Sequence, residues 1–101
     1  MQIAELTERH AIEISRWRYE GEYAIYDEVP WEEMVRDGWA LANPEKRRDE
    51  FLAFLNDDGV LVAYTRRNFK EHGIMLGIGA NPEFLSMGYG SRAIGLATER
   101  I

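Results

Sequence analysis

The chain has no cysteine and only two histidines, His10 and His72, among its 101 residues. Without cysteine the protein has no disulfide, no thiolate nucleophile and no cysteine-ligated zinc. The two histidines are far apart in the sequence, and neither has a partner at the spacing of a helical metal site. We therefore expect no metal centre, and the lack of cysteine leaves the redox compartment open.

The sequence also lacks an excess of basic residues and any long apolar run. Its 12 Lys+Arg stand against 18 Asp+Glu, which gives a formal net charge of −6. A protein that binds duplex nucleic acid needs a basic face, so we expect no nucleic-acid partner, whereas an acidic chain suits amines. No segment approaches the roughly 18 uncharged apolar residues of a membrane span, and the N-terminus resembles no export signal. We expect a cytoplasmic protein without a membrane partner.

The residues that are present fit one globular domain over residues 1–101. Apolar residues make up 46% of the chain and charged residues 30%, which is typical of a folded protein. No repeat, low-complexity tract or Ser/Gly linker divides the sequence. A chain of this size buries roughly 60–70% of its extended surface, which is enough for one core.

Helix signals dominate the first half of the chain. Ile3 to Leu6 is a short candidate strand, and Thr7 is placed to cap a helix that should end near Gly21. A second helix is expected from about Trp31 to Leu41, and Pro44 should stop it.

The second half changes to strand periodicity. Phe51 to Leu55 and Val60 to Tyr64 flank the turn signal Asn56 to Gly59, which predicts a β-hairpin. Ile74 to Gly79 should add a third antiparallel strand, and Ser91 to Ile101 has the apolar stripe of a helix. The order β-α-α-β-β-β-α predicts an α+β fold in which helices flank an antiparallel sheet.

The most informative segment runs from the strand at Ile74 to the helix that opens near Ser91. Gly88 and Gly90 stand at the start of this helix, where the first backbone N–H groups have no intrahelical acceptor and the positive end of the helix dipole lies. Glycine lets a phosphate approach without a Cβ in the way. The segment therefore predicts an anion site, although a glycine pair alone is also common in plain turns.

In this context the run from Ile78 to Ser91, IGANPEFLSMGYGS, resembles the acyl-CoA-binding motif of the GNAT superfamily of N-acetyltransferases. In that motif a strand ends in a hydrophobic-x-Pro-Glu-aromatic stretch and continues through Gln/Arg-x-x-Gly-x-Gly/Ala into a helix. The preceding element order is similar to the first half of the family's fold. The resemblance implies transfer of an acetyl group from acetyl-CoA, as cosubstrate, to a primary amine of a small molecule or peptide.

The resemblance also implies which residues would contact acetyl-CoA. Backbone groups of Ile78 and Ala80 would hydrogen-bond the pantetheine arm, and backbone amides of the following loop would hold the pyrophosphate. The loop residues are Leu85, Ser86, Met87, Gly88, Tyr89, Gly90 and Ser91. Leu85 stands where the family has Gln or Arg, which removes a side-chain contact and keeps the backbone cradle.

The family's fold continues after the motif helix with further strands and a helix, which the sequence up to Ile101 does not contain. We expect either a fragment of a longer acetyltransferase, inactive alone, or a half-domain that completes itself by pairing. The strand from Ile74 to Ala80 has no Lys or Pro to discourage pairing and would then lie at a sheet edge. A homo-oligomer through this edge is the corresponding prediction.

Aromatic and acidic residues between the first two predicted helices are candidates for the acceptor pocket. They are Tyr19, Tyr23, Tyr26, Asp27, Glu28 and Trp31. The family lines its acceptor site with this region, but such rings equally serve to pack helices onto a sheet. Attack by an amine needs a base, and the strand Ile74 to Ala80 has no acidic residue, which leaves Glu28 and His72 as candidates.

Two further interpretations remain open on sequence grounds. The chain is alternatively a non-catalytic module that binds CoA or a partner, or a structural α+β domain in which Gly88 and Gly90 only make a turn. Arg66, Arg67 and Lys70 form a basic cluster that fits either a solvated strand end or a contact to a phosphate of the cosubstrate.

Overall fold

The fold is built on one antiparallel sheet whose four strands lie side by side in chain order. A computed structural model describes the backbone of residues 1–70 and 73–99 and most of their side chains. The strands are β1 (Gln2–Ala4), β2 (Phe51–Leu55), β3 (Leu61–Lys70) and β4 (Gly73–Ala80). The helices described are α1 (Glu8–Ser15), α2 (Trp31–Asp37), α3 (Pro44–Glu50) and α4 (Tyr89–Glu99), with 3-10 turns at Gly21–Tyr26, Ala40–Ala42 and Pro82–Met87. The predicted α+β class with an antiparallel sheet is confirmed.

Helix α1 begins as predicted and ends earlier. The Thr7 hydroxyl accepts from the backbone N–H of His10 at 3.2 Å, and the His10 ring accepts from the Thr7 N–H at 3.2 Å. This reciprocal cap satisfies two N–H groups that the first turn leaves open. At the other end, Arg16 and Trp17 donate to carbonyls three residues back, which tightens and closes the helix. The predicted end near Gly21 is therefore wrong.

Pro44 begins a helix, where the sequence pattern predicted that it would stop one. The helix expected over Trp31 to Leu41 ends before Gly38, which has a φ of 72° and closes α2 in the left-handed conformation. Asn43 then caps α3, because its side-chain oxygen accepts from two first-turn amides at 2.9 and 3.1 Å. Pro44 is tolerated at the first helical position because no acceptor is needed for its missing N–H. The observed order of helices and strands is β-α-α-α-β-β-β-α.

Helices cover both faces of the sheet. The α1 face contains the buried side chains of Ile14, Met34 and Phe51. The α4 face contains Phe54 and Ala97, each 0% exposed. Burial on both sides leaves the edges of the sheet as the places where its backbone can meet a ligand.

The predicted hairpin between β2 and β3 is confirmed. Asn56 accepts from the amides of Asp58 and Val60 at 2.9 and 3.0 Å, and Gly59 has a φ of 77°. Strand β3 runs beyond the predicted end at Tyr64, and β4 is one edge of the described sheet. The turn expected around His72 lies outside the described residues, and self-association through β4 stays a prediction.

A bulge interrupts the pairing of β2 with β3 close to the hairpin. Phe54 lies opposite Ala63, but the next residue of β2, Leu55, lies opposite Leu61. Val62 is therefore the extra residue of β3, without a partner in β2. Bulges of this kind bend a strand and increase its local twist.

Asn81, directly after β4, is hydrogen-bonded through every polar group it has. Its backbone N–H donates to Val62 O and its side-chain amide to Leu61 O, both at 2.9 Å. Its side-chain oxygen accepts from the Glu83 N–H at 2.9 Å, and its carbonyl accepts from the Phe84 N–H at 3.0 Å. The residue is only 6% exposed, so water does not compete for these bonds. The bulge and the turn after β4 are thus joined by one residue.

We expect Asn81→Ala to lower the free energy of unfolding by about 2–3 kcal/mol, because it removes two hydrogen bonds and leaves the buried Leu61 carbonyl unpaired. Urea denaturation measures the change. Asn43→Ala is the matched control, since it removes an exposed helix cap worth about 1 kcal/mol. Equal losses in the two variants would contradict the special role of Asn81.

Candidate functional site

The end of β4 directs backbone groups toward the sheet edge. Ala63 and Ala80 lie opposite each other in β3 and β4, and the hydrogen bond from the Asn81 N–H to Val62 O lies one residue beyond them. In an antiparallel ladder hydrogen-bonded and non-hydrogen-bonded pairs alternate, so Ala63 and Ala80 form a non-hydrogen-bonded pair. The N–H and C=O of Ala80 consequently point away from β3, and strand alternation gives the same direction for Ile78. These are the two residues that the resemblance assigns to the pantetheine arm. In the described part of the chain no strand pairs with this edge.

Helix α4 begins against the same strand end, two residues earlier than predicted. A methyl group at Gly90 would lie 3.8 Å from the Ile78 side chain and 3.9 Å from that of Ala80, which is ordinary van der Waals contact. Gly88 has a φ of 74°, which allows the chain to turn sharply from the 3-10 segment into α4. The first helical bond across this turn joins the Arg92 N–H to Gly88 O at 3.2 Å. Amides that precede Arg92 in the first turn have no acceptor within the helix.

The surroundings of the α4 start are mixed in polarity. No acidic residue lies in its first turn, and the Arg92 guanidinium lies 5.7 Å above the ring of Tyr89. Leu85 and Met87 are 48% and 57% exposed, so the predicted loop is apolar on its outer side. The side chain of Ser86 lies outside the described residues. An anion at this position would meet backbone amides and one cation.

Two carboxylates and two tyrosines meet on the α1 side of the β4 end. The Tyr19 hydroxyl donates to Ala80 O at 2.5 Å, and the Tyr19 N–H donates to an Asp27 carboxylate oxygen at 2.7 Å. The Tyr64 hydroxyl donates to the carboxylate of Glu28. Three of the predicted acceptor residues therefore lie together, namely Tyr19, Asp27 and Glu28. Tyr64 lies with them, although no sequence pattern indicated it.

Close packing fixes the ring of Tyr64. The rings of Trp17 and Phe51 lie 6.0 and 6.1 Å from it, centre to centre. Gly79 is its direct neighbour on β4, and a Cβ at that position would collide with the tyrosine ring. Only glycine fits opposite Tyr64. A glycine inside an apolar strand was the sequence signal that could have indicated this contact.

Burial raises the pKa values of three side chains in this group, those of Glu28, Tyr19 and Tyr64. It raises the pKa of the Glu28 carboxyl above the ordinary value of 4.5, and the hydrogen bond from Tyr64 partly offsets the increase. Burial, followed by the charges of Glu28 and Asp27, raises the pKa of Tyr19 to about 12. Burial also raises the pKa of Tyr64. Both hydroxyls remain hydrogen-bond donors at neutral pH, and Glu28 is the member of the group that exchanges a proton most readily.

The other predicted acceptor and base residues contribute less. Trp31 is half-buried and packs against the core on the α1 face, as the packing interpretation expected. Tyr23 and Tyr26 belong to a 3-10 turn by their backbone, and their side chains lie outside the described residues. His72 is outside them as well. Among the described residues, Glu28 alone remains of the two proposed bases.

The described residues contain no cluster of three or more His, Asp or Glu side chains that could hold a metal ion. No helix among them has both the length and the apolar character needed to cross a bilayer.

No protein-family model, curated protein or solved structure matches the chain. Membership of the GNAT superfamily is therefore a proposal, which depends on the motif between Ile78 and Ser91 and on the geometry around it.

We expect Glu28→Gln to raise the melting temperature at pH 7 and to change it less at pH 4. Since the pKa of Glu28 is raised in the folded state, the stability linked to its neutral form is present below the unfolded-state pKa and is lost as pH rises through the folded-state value. Gln keeps an acceptor for the Tyr64 hydroxyl and carries no charge. Thermal denaturation at the two pH values checks this. Glu83→Gln, at an exposed position, should have little effect, and an equal shift of Glu28→Gln at both pH values would contradict the expectation.

Proposed function

We propose that the chain is a GNAT-like N-acyltransferase domain, which moves an acetyl group from acetyl-CoA to a primary amine by direct attack. One observation carries the proposal. The outward-facing backbone of Ile78 and Ala80 and the start of α4 meet at one strand end, and the Glu28 carboxylate lies on the other side of that strand. A thioester donor and an amine acceptor need two such neighbouring sites.

The strand end fits acetyl-CoA in two respects. The N–H and C=O of Ile78 and the N–H of Ala80 face the edge, where the amide groups of a pantetheine arm would find partners. The amides of the first turn of α4 and the helix dipole favour a pyrophosphate. The Ala80 carbonyl is less available to the pantetheine arm, because it already accepts a hydrogen bond from the Tyr19 hydroxyl.

Acetyl transfer to an amine requires a base and a polarised thioester carbonyl. Acetyl-CoA supplies the acyl group: a C–N bond forms to the amine nitrogen, the C–S bond breaks, and the proton that the nitrogen loses after the attack neutralises the leaving thiolate. Glu28 would accept the proton that an ammonium group must lose before its nitrogen can attack. A carboxylate whose pKa is raised suits this task better than an ordinary one, because its pKa lies closer to the operating pH. The chain has no cysteine, which fits attack without a cysteine-bound intermediate.

Gly90→Asp should weaken acetyl-CoA binding by at least about tenfold, because it places a carboxylate against the phosphates at the helix start. Calorimetric titration with acetyl-CoA and with CoA measures the affinity. Gly95→Asp adds the same charge to the same helix farther from its start, at a position with open space around it, and should have a smaller effect. Unchanged affinity in Gly90→Asp would show that the cosubstrate binds elsewhere.

Glu28→Gln should abolish most transfer while acetyl-CoA affinity stays unchanged. In the unsubstituted chain the rate should fall as pH is lowered through the pKa of Glu28, which burial raises above 4.5, because the protonated carboxyl is no base. A thiol-release assay with an amine panel measures both effects. Binding of acetyl-CoA without transfer to any amine would favour the non-catalytic module, and an unchanged rate in the variant would exclude Glu28 as the base.

A further inference from the structure

A small open cleft of about 260 Å³ lies between β4 and the 3-10 turn Ala40–Ala42, and Glu28 is part of its wall. Three aromatic residues, Trp39, Phe51 and Tyr64, belong to its lining. Its charged residues are Glu28 and Arg66, one acid and one base. Pockets for drug-sized ligands span about 300–1,000 Å³, so this cleft suits a smaller molecule.

Two glycines keep the β4 side of the cleft free of side chains. Tyr64 and Arg66 point to the same face of β3, and their partners on β4 are Gly79 and Gly77. Gly79 is required by the Tyr64 ring, as described above. At Gly77 a methyl group would meet only the Arg66 carbonyl oxygen, at 3.9 Å, so no contact within the protein demands glycine there. Its effect is to leave the cleft open.

Arg66 is held in one orientation and retains donors for a ligand. Its Nε and Nη2 both donate to one carboxylate oxygen of Glu50 at 3.1 Å, and its guanidinium lies 5.5 Å above the ring of Phe51. The described contacts do not use Nη1. The side chain is 32% exposed. A guanidinium fixed in this way presents a planar set of donors that matches a carboxylate.

The structure assigns this cleft to a small zwitterion, a primary amine that also carries a carboxylate, of the size of a free α-amino acid. The ammonium group would lie toward Glu28 and the carboxylate toward Arg66, with the aromatic rings around the remaining apolar part. The reaction that this ligand undergoes rests on the proposed function, in which Glu28 receives the proton of the amine. The class of ligand rests on the two opposite charges that line one cleft.

Calorimetric titration of the full chain with each common L-amino acid and its decarboxylated amine tests the assignment, for example phenylalanine against phenethylamine. At least one amino acid should bind about tenfold or more tightly than its amine, since a charge-assisted hydrogen bond to Arg66 is present only with the carboxylate. Arg66→Gln should remove this preference. Glu50→Gln is the matched control, because it alters the same ion pair, keeps the guanidinium and should retain the preference.

Gly77→Val provides a second, independent measurement. The added side chain would occupy the cleft floor and should weaken binding of both members of a pair by about tenfold or more, while Gly95→Ala, in α4, should change neither. Circular dichroism spectra and melting curves establish whether Gly77→Val is folded, and Gly77→Ala replaces it if it is not.

The outcomes separate the two proposals. Any one of three results would overturn the assignment of the cleft to a zwitterion. They are equal affinity for an amino acid and its amine, a preference for the amino acid that survives Arg66→Gln, and binding of no amino acid. Acetyl transfer to simple amines in the same preparation would then leave the proposed function standing. Amino-acid binding that depends on Arg66, in a chain that neither binds acetyl-CoA nor releases thiol, would overturn the proposed function and support the ligand class of the cleft.

Discussion

The four hydrogen bonds of Asn81 hold the end of β4 against the bulge of β3, and the arrangement of the candidate site depends on them. Two of the bonds reach back to Leu61 and Val62, and two reach forward into the 3-10 segment. The strand end and the start of α4 are therefore placed relative to one another by a single buried side chain and its own backbone. Because amide donors and acceptors are directional, this connection specifies an angle as well as a contact. The outward direction of the Ala80 backbone follows from the same bonds.

The sequence predicted the parts of the fold that local patterns determine. Two apolar runs around Asn56 to Gly59 are sufficient to predict a hairpin, and its residues pair as expected. Pro44 was misjudged because proline is compatible with both the end and the first turn of a helix, and the Asn43 cap decides between them. Tyr64 was missed because its role follows from the strand register, which brings Gly79 opposite it, and register is a property of two strands and not of one. The bonds of Asn81 to Leu61 and Val62 could not be predicted for the same reason.

The group of Glu28, Tyr64 and Gly79 combines features that weaken a fold with contacts that fix its geometry. A half-buried carboxylate loses hydration, and glycines in a strand lose more conformational entropy than other residues. These costs are offset where Tyr64 packs between Trp17 and Phe51. A carboxylate that accepts from a closely packed tyrosine is held in one position, which is the property that a binding or reacting group requires.

The bulge at Val62 has a consequence for changes in chain length. Leu61 and Tyr64 belong to the same face of the sheet although three positions separate them, which strict alternation forbids; the extra residue shifts the phase of everything that follows in β3. Loss of Val62 would restore strict alternation between Leu61 and Tyr64, so that Tyr64 and Arg66 would keep their face of the sheet while the bend that the bulge gives to β3 would be lost. Surface hairpins ordinarily tolerate insertions and deletions. In this one, a deletion at the bulge would keep the two faces of β3 but remove the bend at which Asn81 is bonded to Leu61 and Val62.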